Sequence, residues 1–308
     1  MKIYASSSYY SRFVSFLCDT IPDFVVGESE IERFPNGEMY VTIRDGVDGE
    51  ECLVIGSAAP PDEQLLALLM LVEVLKHNGA KRVLAVLPYL GYARQDKFGQ
   101  GEGGGIALIG TLLKAAGVDE IITFDVHSEL DKGLIGLPLR SLSPARLFAD
   151  ALVKQGWVNP TIVAPDEGAL GRCQALAEVL GIVSPVAFLV KRHIDGIVHL
   201  NLVGSVGSKV LLVDDIIDSG HTLISACKIL RKNGVKEIAI AVTHGLFTGL
   251  DWPQLFNFGV TVLYVSDSCP RSLEQKYPKL GVVQMAPLLS EVLLNVTRKE
   301  KQHEGAAA

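Results

Sequence analysis

The sequence predicts an α/β protein made of two tandem Rossmann-like domains, each a parallel sheet flanked by helices. Short unbroken apolar runs alternate with longer segments of helical spacing, the pattern of strands buried on both faces and of the crossover helices that cover them. Gly79, Gly117, Gly181 and Gly234 fall just after helical segments, where helices end in a left-handed residue. The two halves repeat one rhythm, with polar residues gathered where strands run out. This places a boundary near Leu142–Arg146 and domains over 1–143 and 144–308. At 308 residues, 48% of them hydrophobic, the chain can fill two cores.

In order, Met1–Ala5 reads as a first strand, and Ser6–Ser8, Ser11 and Arg12 break any signal-peptide core. Leu53–Gly56, Val83–Leu87 and Ile121–Phe124 read as strands, separated by helices over Gln64–His77 and Ile106–Ala116. Leu65–Leu75 is very apolar but too short to cross a membrane, as is every other apolar run. The second half offers strands at Thr161–Ala164, Val186–Val190, Val210–Val213, Ile238–Val242 and Val260–Val265. Its helical patterns are Pro144–Lys154, Gly168–Leu180, Thr222–Asn233 and Pro287–Val296. Lys299–Ala308, charged and then rich in Gly and Ala, reads as a frayed tail.

A net charge of -7 argues against sequence-independent nucleic-acid binding, which needs an excess of Lys and Arg. Cys18, Cys52, Cys173, Cys227 and Cys269 are scattered without CxxC spacing. That pattern is expected of reduced thiols in a cytoplasmic protein and not of a disulfide frame or a zinc site.

The densest chemistry lies in Val210–Thr222, VLLVDDIIDSGHT. Four apolar residues run into Asp214 and Asp215; Asp218, Ser219, Gly220, His221 and Thr222 then lead into a helix. Such a loop meets the amino end of a helix, where backbone N–H groups and the dipole favour an anion. Ser219 and Thr222 add hydroxyl donors. Asp214 and Asp215 would repel phosphate, so they suit sugar hydroxyls or a magnesium-bound group.

These residues resemble the 5-phosphoribosyl 1-diphosphate (PRPP) signature of type I phosphoribosyltransferases and PRPP synthetases, with His221 in a place often held by Gly. Five further stretches resemble PRPP synthetases, the ribose-phosphate diphosphokinases: RFPNGEMYV (33–41), PYLGYARQD (88–96), TFDVHS (123–128), VAPDEGALGR (163–172) and LVKRH (189–193). This resemblance covers almost the whole chain, whereas a plain phosphoribosyltransferase would match only the second half. It implies two tandem domains of the type I phosphoribosyltransferase fold, the first on the ATP side and the second on the ribose-phosphate side.

It also implies roles. Phe34, Asn36 and Glu38 would frame the adenine of ATP bound by a neighbouring subunit, which makes the protein a homo-oligomer. Arg94, Gln95 and Asp96 would hold ATP, since an Arg fork can donate to two phosphate oxygens. His127 and Asp166 would bind Mg2+. Lys191 and Arg192 would stabilise the transferring group, and Asp214, Asp215 and Asp218–Thr222 would take ribose 5-phosphate. The implied reaction moves diphosphate from Mg-ATP to the anomeric hydroxyl of ribose 5-phosphate, giving PRPP and AMP for nucleotide biosynthesis in the cytoplasm. No nucleic-acid or membrane partner is implied.

Two segments depart from the family's pattern. The flag loop KFGQGEGGGIA keeps Lys97 but lacks most of the usual basic residues, and the catalytic loop keeps Lys191 of the usual Lys-x-Arg but holds His193 in the arginine place, with Arg192 one position early. These departures leave open a second reading, a non-catalytic paralogue acting as a regulatory or binding subunit.

Overall fold

A computed structural model describes residues 1–94, 100–128, 133–194 and 197–295, with the backbone alone for 191–194 and 197–200. Its contacts divide the chain into two compact units: Met1–Leu142 together with Ala286–Ala308, and Ser143–Met285. The sequence reading assigned everything beyond 144 to the second domain. In the structure helical residues 286–295 group with the first unit, with Leu289 and Leu293 fully buried.

The first unit is built on strands β1 (Lys2–Ala5), β2 (Val25–Val26), β3 (Ser29–Arg33), β4 (Met39–Ile43), β5 (Glu51–Ile55), β6 (Arg82–Leu87), β7 (Glu120–Phe124) and β8 (Leu139–Leu142). Six of them form an all-parallel sheet in the order β2-β1-β5-β6-β7-β8, while β3 and β4 pair as an antiparallel hairpin. The helix Glu63–His77 shows why these segments pack as they do. Ala67, Leu68, Leu71, Val72 and Leu75 recur at helical spacing and are buried. Glu63 lies in its first turn and Lys76 and His77 in its last, each matching the helix dipole.

The second unit carries β9 (Thr161–Ala164), β10 (Ala187–Ile194), β11 (Ile197–Val203), β12 (Lys209–Ile217), β13 (Glu237–Gly245), β14 (Val260–Ser266) and β15 (Leu280–Val283). They form one sheet in the order β11-β10-β9-β12-β13-β14-β15, parallel except for the β10–β11 pair. From β9 the chain steps outward to β10 and β11, then returns to lay β12 on the other side of β9. The strand order therefore reverses between β9 and β12, and the carboxyl ends of strands at such a reversal are the usual ligand position in open α/β sheets.

Two strands run further than the sequence reading placed them. β12 passes Val213 and continues to Ile217, because Asp214, Ile216 and Ile217 keep their pairing with Val242, His244 and Gly245 of β13. β10 passes Val190 to Ile194 on the strength of its antiparallel pairing with β11. No helix among the described residues is long and apolar enough to cross a membrane.

Candidate active site

Asp218, Ser219 and Gly220 link β12 to the helix His221–Lys232. Gly220 is its N-cap in a left-handed conformation (φ +85°), and no side chain caps the helix. With glycine as the N-cap, no cap side chain occupies the helix start, which suits an anion. A Cβ at Gly220 would come within 2.9 Å of Trp252 Cα, so glycine is required on both counts.

The turn is fastened to the segment after β13. Asp218 accepts hydrogen bonds from the Thr248 N–H (3.2 Å) and from its hydroxyl. His221 Nε2 lies 3.0 Å from Asp251 Oδ2, and Gln254 donates to Asp251 Oδ1 at 2.7 Å. Trp252, 5% exposed, sits among Phe247, Phe256 and Tyr277 with centroids 4.7–6.3 Å away. The turn therefore rests on a packed aromatic platform. Ser219 is half-buried; Thr222 and His221 are exposed.

The acids Asp214 and Asp215 precede the turn on β12. Asp214 and Asp215 are 8% and 5% exposed, and the Asp215 N–H donates to Asp214 Oδ1 at 2.9 Å. Arg172 Nη2 stands 3.7 Å from Asp215 Oδ2. Burial, then the Asp215 charge and hydrogen bond, then Asp166, push the Asp214 carboxyl well above the usual carboxylate range, while Arg172 pulls it down. Asp166 opens the loop after β9 and accepts from the Ala169 N–H at 3.2 Å. Three carboxylates at the β9–β12 reversal are thus opposed by the Arg172 guanidinium. That imbalance suits a ligand that donates hydroxyl hydrogens or brings a cation. Among the described residues, no group of three or more His, Cys, Asp or Glu is arranged to hold a metal ion. A cation carried in on a polyphosphate, which keeps several waters and needs only one or two protein ligands, fits the residues present better than a resident ion does.

Lys191, Arg192 and His193 lie on β10 opposite Leu200, His199 and Val198 of β11.

The remaining predicted residues belong to the first unit. The 34–38 segment is the tip of the β3–β4 hairpin, closed by hydrogen bonds from Phe34 N–H to Glu38 O and from Gly37 N–H to Phe34 O, both 2.8 Å. Asn36 Oδ1 accepts from the Glu38 N–H at 3.1 Å, and Arg33 braces the tip by donating to Gly37 O at 2.8 Å. The segment is thus an Asn-Gly hairpin turn that also presents Phe34, 50% exposed, whose ring packs on Tyr40 at 4.4 Å. Arg94 is exposed beyond β6, and His127 is exposed beyond β7. Gln95, Asp96 and Lys97 lie outside the described residues. Sequence reasoning gave no role to Arg172, Thr248, Asp251 or Trp252. The last three sit about thirty residues beyond the turn they hold, where no local spacing marks them.

Comparison with known proteins agrees with this architecture. The family model for the N-terminal domain of ribose phosphate pyrophosphokinase matches residues 6–117, and the phosphoribosyl transferase domain matches residues 144–249. Ribose-phosphate pyrophosphokinase from Mycoplasma pneumoniae is 36% identical over 273 residues, covering 85% of this chain and 82% of the relative. The Thermosipho africanus enzyme of that name is 34% identical, covering 89% and 87%. The crystal structure of phosphoribosylpyrophosphate synthetase from Mycobacterium smegmatis superposes with a TM-score of 0.86 at 30% identity, covering 97% of this chain and 99% of that one. With both halves matched in order and the two-sheet fold in common, the chain belongs to the ribose-phosphate pyrophosphokinase family of transferase enzymes.

Proposed function

We propose that the protein transfers the diphosphoryl group of Mg-ATP to the anomeric hydroxyl of ribose 5-phosphate, releasing AMP and forming PRPP for nucleotide biosynthesis in the cytoplasm. The observation that carries this reading is the uncapped helix start that follows buried acids at the β9–β12 reversal. One surface there takes a phosphate and the other takes sugar hydroxyls.

In this reading the Asp218–Thr222 turn receives the 5-phosphate on backbone N–H groups and the Ser219 and Thr222 hydroxyls. Asp214 and Asp215 accept hydrogen bonds from the ribose hydroxyls and so orient the anomeric oxygen. The first unit forms the ATP side: Arg94, Gln95 and Asp96 hold the nucleotide, and Phe34, Asn36 and Glu38 face the adenine bound by a second copy, so the working unit is a homo-oligomer. Magnesium, entering on ATP, offsets polyphosphate charge; His127 and Asp166 are the side chains that would meet it. The anomeric oxygen bonds to the β-phosphorus as the bond from that phosphorus to the α,β-bridging oxygen breaks, the hydroxyl proton passes to solvent, and AMP leaves with the bridging oxygen. Lys191 and Arg192 stabilise the negative charge on the transferring group, because phosphoryl transfer rests mainly on positioning and charge.

The test is single-turnover AMP release with Mg-ATP and ribose 5-phosphate. Lys191→Ala should slow it by about 10²–10³-fold with sugar-phosphate affinity nearly unchanged. A wild-type rate no higher than that of Lys191→Ala, with both ligands bound, would favour the non-catalytic paralogue.

A further inference from the structure

We infer that His221 and Asp251 form a latch that sets the charge beside the phosphate-binding turn, with His221 acting through Asp251 as a positioning residue. This rests on the reading of Asp218–Thr222 as the sugar-phosphate site.

Each of four consecutive turn residues meets the 248–252 segment. Asp218 is held by Thr248, and Ser219 packs so closely on Gly249 that a Cβ there would lie 2.7 Å from Ser219 Cα. Gly220 packs on Trp252, and His221 reaches Asp251. The first three contacts fix the backbone. The fourth differs in kind, since it places a carboxylate one side-chain length from the first residue of the helix.

A carboxylate there opposes an incoming phosphate. Asp251 is about half-exposed and His221 more so (49% and 70% for the side chains), so water screens the charge without removing it. Both Asp251 oxygens are engaged, one by His221 Nε2 and the other by the Gln254 amide. A ring carrying its hydrogen on Nε2 donates to the carboxylate. The pair explains why a ring stands at 221: a side chain that ended at Cα would leave the carboxylate without that donor and facing the site.

A calorimetric cycle on the full-length protein at fixed pH tests this, with ribose 5-phosphate as the probe. His221→Gly should weaken binding by about three- to tenfold, as expected for a like charge left near the phosphate in a hydrated setting. Adding Asp251→Asn to that variant should restore most of the loss, because the offending charge is gone, and higher salt should narrow the gap between His221→Gly and the parent. His221→Gln, which keeps a donor, should retain most of the affinity. Parent-like binding by His221→Gly overturns the latch. So does a double variant as weak as His221→Gly, which would show that only loop anchoring was lost. Failure of the parent itself to bind ribose 5-phosphate overturns the sugar-phosphate reading, and the latch with it.

Discussion

Arg172→Met offers a direct test of how the acid cluster is held. Methionine keeps the aliphatic length that packs beside the β9 loop and removes only the guanidinium. The Arg172 and Asp215 side chains are 14% and 7% exposed, so the pair is largely shielded from water. Removing one member of a buried pair typically costs about 3–5 kcal/mol because the remaining charge is stranded. The 3.7 Å separation is an ion-pair distance and not a hydrogen bond, which argues for the lower end, about 3 kcal/mol. For a unit of this size that lowers Tm by about 6–12 °C. The loss should also depend on pH. Asp214 has a folded-state pKa above its unfolded value, driven first by burial. Folding therefore favours its protonated form, and stability falls as pH rises from the ordinary carboxylate value through the raised one. Arg172 opposes that shift, so its removal extends the window upward and the deficit should widen as pH rises. Thermal unfolding of parent and variant by circular dichroism at about pH 5 and about pH 8 separates the cases. An equal drop at both would refute the electrostatic account and leave Arg172 its packing and its 3.3 Å hydrogen bond to Gly168 O.

Other consequences are simpler to check. Gly220→Ala combines a left-handed residue at φ +85° with a Cβ 2.9 Å from the Trp252 backbone; it should destabilise the protein by about 2–4 kcal/mol in denaturant unfolding and weaken ribose 5-phosphate binding. Burial pushes the thiols of Cys52 up to about 11 and of Cys227 and Cys269 up to about 12. Native protein at neutral pH should therefore resist iodoacetamide at these three positions while half-buried Cys18 reacts first; early labelling of Cys227 by mass spectrometry would contradict this.

What was legible in the sequence follows from what local signals encode. Val210–Val213 announces a strand because both of its faces are buried by apolar neighbours, and the glycine helix stops at Gly79, Gly117, Gly181 and Gly234 all have positive φ. The continuation of β12 through Asp214 to Ile217 was hidden, because two acids contradict an apolar run; the ladder to β13 and the Arg172 guanidinium beside Asp215 make their burial tolerable. β15 is masked by Gly281 in a four-residue strand. In the site, Asp218 and Gly220 stand out by motif. Thr248, Asp251 and Trp252, which hold them, are marked only by contact in three dimensions.

The placement of helical residues 286–295 in the first unit has a consequence for how the protein is made. The strands of that unit leave the ribosome first, yet the helix carrying Leu289 and Leu293 follows only after the whole of Ser143–Met285. At about 5–20 residues per second that interval is roughly 7–30 s, during which the apolar surface that those leucines cover faces water. Synthesis thus completes the second unit before the first, and a nascent chain stalled after Met285 should carry a finished second unit and a sticky, unfinished first one.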